Sequence, residues 1–375
     1  LLVIINFKDM RSRFRMIGLT TVFLSVILFP LLNVSLGLIP DTKNFENRAM
    51  SPKPVFDINL LDPYPSKFEK YYNDNFSLRS LIIKYYNLLT LKLFKKSPLP
   101  DNVIIGNNGW LYLAGNEMKT YIGKERLSIL QLEEWRTELE NQKRYLEKRG
   151  CKFYFMVTPS KANIHSENIP YAYYQFNAQS WGEQLIEYLQ KYSDINVISL
   201  YESFKDLKKH NQLYYKIDNH WNKKGAFFAA NIVCERINRD FPNVKPLSIS
   251  DFIVNEFPKT KGDIAYMLSN PELFPDLEFE FISKKTQKEI KVDTVRYSMG
   301  DGKYPPNITY RSTKDSKKPK LLMTSDSFSR LMFPFLAESF NKSINIFDYW
   351  HYHLNKDIVN YEKPDVYLLM IFEPW

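Results

Sequence analysis

Leu321-Leu322-Met323-Thr324-Ser325-Asp326-Ser327-Phe328-Ser329 reads as a strand that hands a serine to a helix. The apolar run is too short for a helix and ends in three residues that favour helix N-caps. Apolar positions at helical spacing then continue from Phe328 to Phe340. A buried strand feeding directly into a helix is the building unit of an α/β fold. Ser327 falls just past the carboxyl end of its strand, where open α/β sheets place their ligands. Two roles fit it. It can cap the helix with its neighbours, or it can act as a nucleophile whose developing oxyanion faces free N–H groups and the positive end of the helix dipole. Asp326 reads as a cap or a local acceptor.

Working outward, the same alternation recurs. Strands are expected at Lys152 to Val157, Asn196 to Leu200, Lys320 to Thr324, Ile344 to Phe347 and Val366 to Phe372. Helices are expected at Leu127 to Arg149, Gln184 to Tyr192, Gly225 to Arg239 and Phe328 to Phe340. This pattern predicts a mainly parallel sheet covered on both faces, a three-layer α/β/α domain over about residues 101–375. Residues 245–318 look like an irregular insertion with β pieces near Phe279 to Ile282 and Val292 to Tyr297. Ahead of the domain, Val103 to Ile105 and Leu111 to Leu113 flank an Asn-Gly turn and read as a hairpin. Leu81 to Leu93 has helical spacing, and residues 41–65 read as a tether. No repeat is evident.

Arg11, Arg13 and Arg15 precede an uncharged apolar run from Met16 to about Ile39. At roughly 1.5 Å per residue the run can span a bilayer core. The basic flank places the N-terminus in the cytoplasm and everything after Pro40 outside it. An uncleaved anchor fits the length of the run. A cleaved signal peptide, with Ser35-Leu36-Gly37 as its site, is the rival. The sequence opens on Leu1, so Met10 or an upstream position is the expected start.

The 375 residues are 44% hydrophobic with only 12 Gly, which suits a full core rather than a disordered chain. The formal charge of +9 fits solvated faces or attraction to an anionic surface or polymer, and no nucleic-acid motif accompanies it. Cys151 and Cys234 show no zinc or CxxC spacing and read as buried free thiols.

The partner for Ser327 is sought in Tyr214-Tyr215-Lys216-Ile217-Asp218-Asn219-His220-Trp221-Asn222, upstream of Gly225-Ala226. Asp218 and His220 stand two residues apart in an extended or looping segment, so the carboxylate can hold the imidazole while its other nitrogen faces a serine. A surface Asp and His flanking a core Trp is the competing reading. No third ligand at metal spacing is seen. His351-Tyr352-His353 reads as a strand edge or loop.

The segment Asp218-Asn219-His220-Trp221 with Gly225-Ala226, followed later by Asp326-Ser327, resembles the DHHW / alginate O-acetylation family of SGNH-hydrolase-like proteins. Further matches occur in the same order. They are Glu46-Asn47-Arg48, Tyr72 to Phe76 with Arg79, Gly109 to Tyr112, Pro159-Ser160-Lys161, Gly262 to Ala265, and Pro364-Asp365-Val366 through Glu373. The chain departs from the pattern at Ser325, where the family has Gly, and at Asn219. The resemblance implies an SGNH-like fold with permuted motif order, Ser327 as nucleophile, His220 as base and Asp218 as orienting acid. It implies an exported, membrane-anchored O-acetyltransferase acting on a polysaccharide. No cofactor is expected to be bound: a membrane-bound O-acyltransferase partner would deliver the acetyl group, drawn ultimately from acetyl-CoA. Neither nucleic acid nor an appended carbohydrate-binding module is expected. Arg330, Lys161, Tyr349 and Trp350 are candidates for a sugar cleft, with burial or structural pairing as the competing role of each. A carbohydrate acetylesterase with the same triad, and a non-catalytic polysaccharide-binding component, are the alternative functions.

Overall fold

A computed structural model describes residues 7–40, 49–58, 61–124, 126–173, 175, 179–284, 291–295, 307–313, 315–347 and 351–373. Glu46-Asn47-Arg48, Tyr349 and Trp350 lie outside them. The described chain falls into two compact units. One comprises the residues up to Pro98 together with Tyr266–Asn270, and the other runs from Leu99 to Ala265 and from Pro271 onward.

The second unit contains eleven described strands. In chain order they are β1 Val103–Ile105, β2 Leu111–Leu113, β3 Lys152–Thr158, β4 Asn196–Ser199, β5 Phe252–Lys259, β6 Asp276–Ser283, β7 Lys291–Val295, β8 Asn307–Ser312, β9 Leu321–Ser325, β10 Lys342–Phe347 and β11 Val366–Phe372. Seven of them form one sheet in the order β4-β3-β11-β9-β10-β8-β7. β4, β3, β11, β9 and β10 are mutually parallel, while β8 and β7 add on antiparallel.

The central strands are buried on both faces, as parallel strands under helices must be. Along β3, Phe153, Phe155 and Val157 face one core, and Tyr154 and Met156 face the other. β11 is buried along its whole length. Helices Ile129–Glu147, Trp181–Tyr192 and Lys356–Glu362 cover the first face through Leu139, Leu185 and Ile358. Helices Lys223–Asn238 and Ser329–Ala337 cover the second through Phe227, Val233, Met332 and Leu336. Each such side chain contributes about 1.5–3 kcal/mol on burial. The α/β/α sandwich thus follows from strands that are apolar without alternation.

The stretch read as an insertion needs correction. β7 and β8 belong to the main sheet, where β8 pairs with β10 from Asn307↔Phe347 to Ser312↔Lys342. That register joins residues thirty to forty positions apart, which no local pattern reports. β5 and β6 form a separate antiparallel hairpin, and Pro258 sits within β5. Proline is tolerated there because a two-stranded ribbon leaves one edge of each strand without a ladder. The β1–β2 hairpin forms as expected, with Asn108 and Gly109 at positive φ in its turn.

In the first unit, helix Phe7–Leu36 contains a stretch, Ser12–Pro30, long and apolar enough to cross a membrane, with none of it buried. Cys151 and Cys234 are free and buried, and burial pushes both thiols up to about 12.

Candidate active site

The carboxyl ends of β3, β9 and β11 lie at the same edge of the sheet, and the site is built there. β9 ends at Ser325, and a turn follows. The Asp326 carboxylate accepts from the Phe328 N–H at 2.9 Å and from the Tyr352 hydroxyl at 3.2 Å. Asp326 is fully buried and shapes the turn, as the sequence suggested. The Ser329 and Arg330 N–H groups bond back to Asp326 and Ser327 carbonyls. The turn lifts Ser327 to the surface of the helix start. Ser325 needs no glycine-like backbone: it is the last residue of the strand and is not among the described residues with positive φ. Its hydroxyl donates to the Asn345 side chain at 2.7 Å, so the hydroxyl tied to β10 has a structural partner of its own.

Asp218 and His220 meet through a turn rather than through strand alternation. The Asp218 carboxylate accepts from the His220 backbone N–H at 3.0 Å, an Asx-type closure, and from the His220 Nδ1 side at 2.7 Å. His220 Nε2 lies 2.8 Å from Ser327 Oγ. The three residues named from spacing therefore form one continuous chain of hydrogen bonds. Burial works to raise the Asp218 carboxyl. The hydrogen bonds and charge of His220, with the Asp263 N–H, outweigh it and hold the group well below the usual carboxylate range. Ionised Asp218 fixes which imidazole nitrogen carries the proton.

Trp221 joins the two halves. Its indole Nε1–H donates to the Phe328 carbonyl at 3.0 Å, and its ring meets Phe328 edge-on at 5.2 Å. Phe328 also touches the His220 ring and stacks on Phe372 at the end of β11. The tryptophan after the histidine is therefore a tie between the Asp218–His220 loop and the serine turn.

The loop is held on its other side by two buried charges. The Asp276 carboxylate accepts from the Lys216 and Ile217 N–H groups at 2.7 and 3.3 Å. The Lys161 ammonium donates to the carbonyls of Asp218, Lys216 and Tyr215 at 2.7, 3.3 and 3.4 Å. Lys161 is 0% exposed and does not line the cleft, contrary to expectation. It sits beneath the loop because β3 ends next to it, and Ser160 caps the short helix that follows. Burial pushes Lys161 down to about 8, against the opposing charges of Glu117 and Asp218. Burial likewise pushes Glu117 up to about 7.

Two glycines allow close approach here. A Cβ on Gly262 would lie 2.4 Å from the Ile217 carbonyl, and one on Gly225 would lie 2.3 Å from the Leu213 carbonyl. Gly262 thereby lets Asp263 reach the Asp218 carboxylate with its N–H at 3.3 Å. Asp276 and Asp263 escaped sequence reasoning as site residues. Asp263 could have been suspected from the Gly262-Asp263 match, while Asp276 carries no local signal.

A cavity of about 340 Å³ opens over Ser327 and His220, with Lys223, Lys259 and Arg330 among its walls. It adjoins a second of about 300 Å³ that shares Lys223 and Arg330 and is walled by Phe252, Phe281 and Phe335. Arg330 thus lines both cavities. Asp218, His220 and Asp263 bring ligand atoms within 4.8 Å of one another. Both ring nitrogens of His220 are already committed to Asp218 and Ser327, which leaves no lone pair for a metal in this arrangement. His351 and His353 stack on each other in a loop.

A three-layer α/β/α sandwich with a serine past a central strand, facing an Asp–x–His pair from an earlier loop, defines an SGNH-hydrolase-like domain. Residues 103–361 match the family described as SGNH hydrolase-like domain, acetyltransferase AlgX, and the chain belongs to that family. It is similar to the probable alginate O-acetylase AlgJ of Pseudomonas aeruginosa, with 24% identity over 79% of this chain and 70% of that protein. The AlgJ of Pseudomonas putida is likewise 24% identical, over 56% of this chain, which spans about half (52%) of that relative's length. Among solved structures, Bacillus cereus PatB1 shares the fold, with a TM-score of 0.55 and 18% identity over 73% of this chain and 96% of that one.

Proposed function

We propose that the protein is a membrane-anchored, extracytoplasmic O-acetyltransferase that moves acetyl groups onto hydroxyls of a polysaccharide. The observation that carries this is the unbroken Asp218–His220–Ser327 chain, at 2.7 and 2.8 Å, open to a cavity in a domain of an acetyltransferase family. In the first half-reaction His220 Nε2 takes the Ser327 proton as Oγ attacks the acetyl carbonyl. The Ser327 N–H at the helix start is the proposed oxyanion donor, since the Phe328, Ser329 and Arg330 N–H groups are committed within the turn. Imidazolium then gives its proton to the departing donor group. In the second half-reaction a sugar hydroxyl passes its proton to His220 and attacks the acyl-serine, and Ser327 regains a proton as the acetyl ester leaves.

Arg330, Lys223 and Lys259 line the cleft together with Asp218, Asp263 and Glu278, and Lys259 pairs with Glu278 at 2.8 Å, so the walls offer both donors and acceptors to the hydroxyls of a sugar polymer. The donor would be a membrane-bound O-acyltransferase that relays acetyl from acetyl-CoA, with no cofactor held by this chain. The apolar helix Ser12–Pro30 suits the anchoring. Tyr349 and Trp350 remain candidates outside the described residues. Water as acceptor would make the protein an esterase, and water exclusion from the cleft decides between the two.

The test follows acetyl from a chromogenic ester, using the full chain in detergent with and without added oligosaccharide. The proposal predicts one acetyl adduct on wild type, none on Ser327→Ala, and drainage of the adduct into acetylated sugar. Release of acetate alone, unchanged by sugar, would contradict transfer. An inert wild type and an inert variant would favour a polysaccharide-binding role.

A further inference from the structure

Helix Arg79–Leu89, in the first unit, continues as one π-helical turn through Phe94. Its inward side is fixed. Asn87 is buried and donates to the Leu268 carbonyl at 3.2 Å and the Ser269 hydroxyl at 3.3 Å, and Asn270 donates to the Lys84 carbonyl at 3.0 Å. The opposite side carries Ile82, Tyr85, Tyr86, Leu89 and Leu93, at intervals of three, four and seven residues that gather them into one stripe. These five and Phe94 are between 50% and 69% exposed. Lys92, Lys95 and Lys96 border or follow the stripe, and all three are exposed.

Isolated exposed apolar residues need no explanation, but a continuous stripe edged by lysines does. The far end of the apolar helix supplies one. Asn33 lies one helical turn past Pro30, where the membrane-spanning stretch ends. Its side chain is buried, exchanges hydrogen bonds with the Ile39 backbone at 2.7 and 3.0 Å, and donates to the Ser77 hydroxyl at 2.7 Å. Ser77 stands two residues before Arg79. The helix that bears the stripe is therefore pinned to the point at which the chain would leave a bilayer.

We infer that the stripe Ile82, Tyr85, Tyr86, Leu89 and Leu93 lies in the membrane interface, with Lys92, Lys95 and Lys96 meeting anionic lipid headgroups. The inference rests on the membrane anchoring proposed above. Tyrosine suits this depth because its ring is apolar and its hydroxyl reaches water. An interfacial helix of this kind buries its apolar side about 5–10 Å below the headgroup level. The chain then has a second, reversible hold on the membrane beside the spanning helix.

The test uses the full chain in vesicles of mixed phosphatidylcholine and phosphatidylglycerol, some containing a nitroxide-labelled lipid. Single cysteines, Tyr86→Cys and Leu89→Cys, receive a polarity-sensitive dye, with Val26→Cys in the spanning helix as reference. Cys151 and Cys234 are buried and stay unlabelled. The expected result is quenching by the nitroxide lipid at all three sites, with the stripe sites losing the effect when phosphatidylglycerol is omitted or when Lys92, Lys95 and Lys96 are changed to Glu. Quenching at Val26→Cys alone, with iodide reaching the stripe dyes, overturns the inference and leaves the anchor intact. Stripe dyes shielded from both lipid quencher and iodide also overturn it, in favour of a second copy covering the stripe. Absence of quenching at all three sites removes the anchoring itself.

Discussion

Two groups of ionisable side chains share the loop 215–220, and burial sets them apart. Asp218, His220 and Ser327 face a cavity, and the His220 side chain is 23% exposed. Lys161 and Asp276 grip the same loop from below, and Lys161 is wholly enclosed. Asp218 belongs to both: its carboxylate turns to His220 and its carbonyl to Lys161. An exposed group can exchange protons with a substrate, whereas an enclosed cation bonded to three carbonyls is committed to holding backbone. Removing Ser327 should therefore change rate without changing stability, whereas removing a group that holds Asp218 or the loop backbone should change both.

The largest effect is expected for Ser327→Ala or His220→Ala, a loss of about 10⁴-fold or more in acetyl transfer. Thermal unfolding of Ser327→Ala should match wild type, whereas His220→Ala should also lose the stability that ionised Asp218 draws from the imidazole. Asp218→Asn should follow, with a loss of about 10²–10⁴-fold from a misassigned imidazole proton. It should also alter acid stability, and the sign is fixed by the direction of the shift. The folded-state carboxyl is lower than its unfolded value of 3.8, so its contribution is present above that pH and lost as pH falls below it. Acid unfolding of Asp218→Asn should thus start from a lower stability at neutral pH and decline less below about pH 3.8.

Lys161→Met separates the two regions most clearly. It leaves three carbonyls without their donor inside the protein, which should destabilise by about 2–4 kcal/mol. Its rate loss, on the order of 10–100-fold for a displaced His220, should vanish when the same change is made in His220→Ala. Trp221→Phe keeps the packing and removes the bond to the Phe328 carbonyl. A stability loss of about 1 kcal/mol and a few-fold slower rate are expected, read by denaturant unfolding and ester turnover. The smallest effect is on thiol labelling. With both thiols pushed up to about 12, iodoacetamide at pH 8 should leave Cys151 and Cys234 of the folded protein unmodified.

How much of this was legible follows the range of the contacts. Ser327 was visible because strand, cap and helix are adjacent in sequence. Asp218 and His220 were visible because two residues suffice to join them, although the joint is an Asx-type turn. The five parallel strands announced themselves as apolar runs. Lys161 was misplaced because its partners lie more than fifty residues away, and a lysine in a sequence looks like a surface residue. Asp276 and the β8–β10 pairing were missed for the same reason. Ser325, a departure from the family pattern, proves compatible with the turn because strand geometry is all that its position requires.

The most direct test of the account is covalent labelling of the full chain with a fluorophosphonate, mapped by peptide mass. The account predicts a single adduct on Ser327, formed at least about 10²-fold more slowly in His220→Ala, in line with the loss of a general base. Labelling of another residue, or equal rates at Ser327 with and without His220, would contradict it.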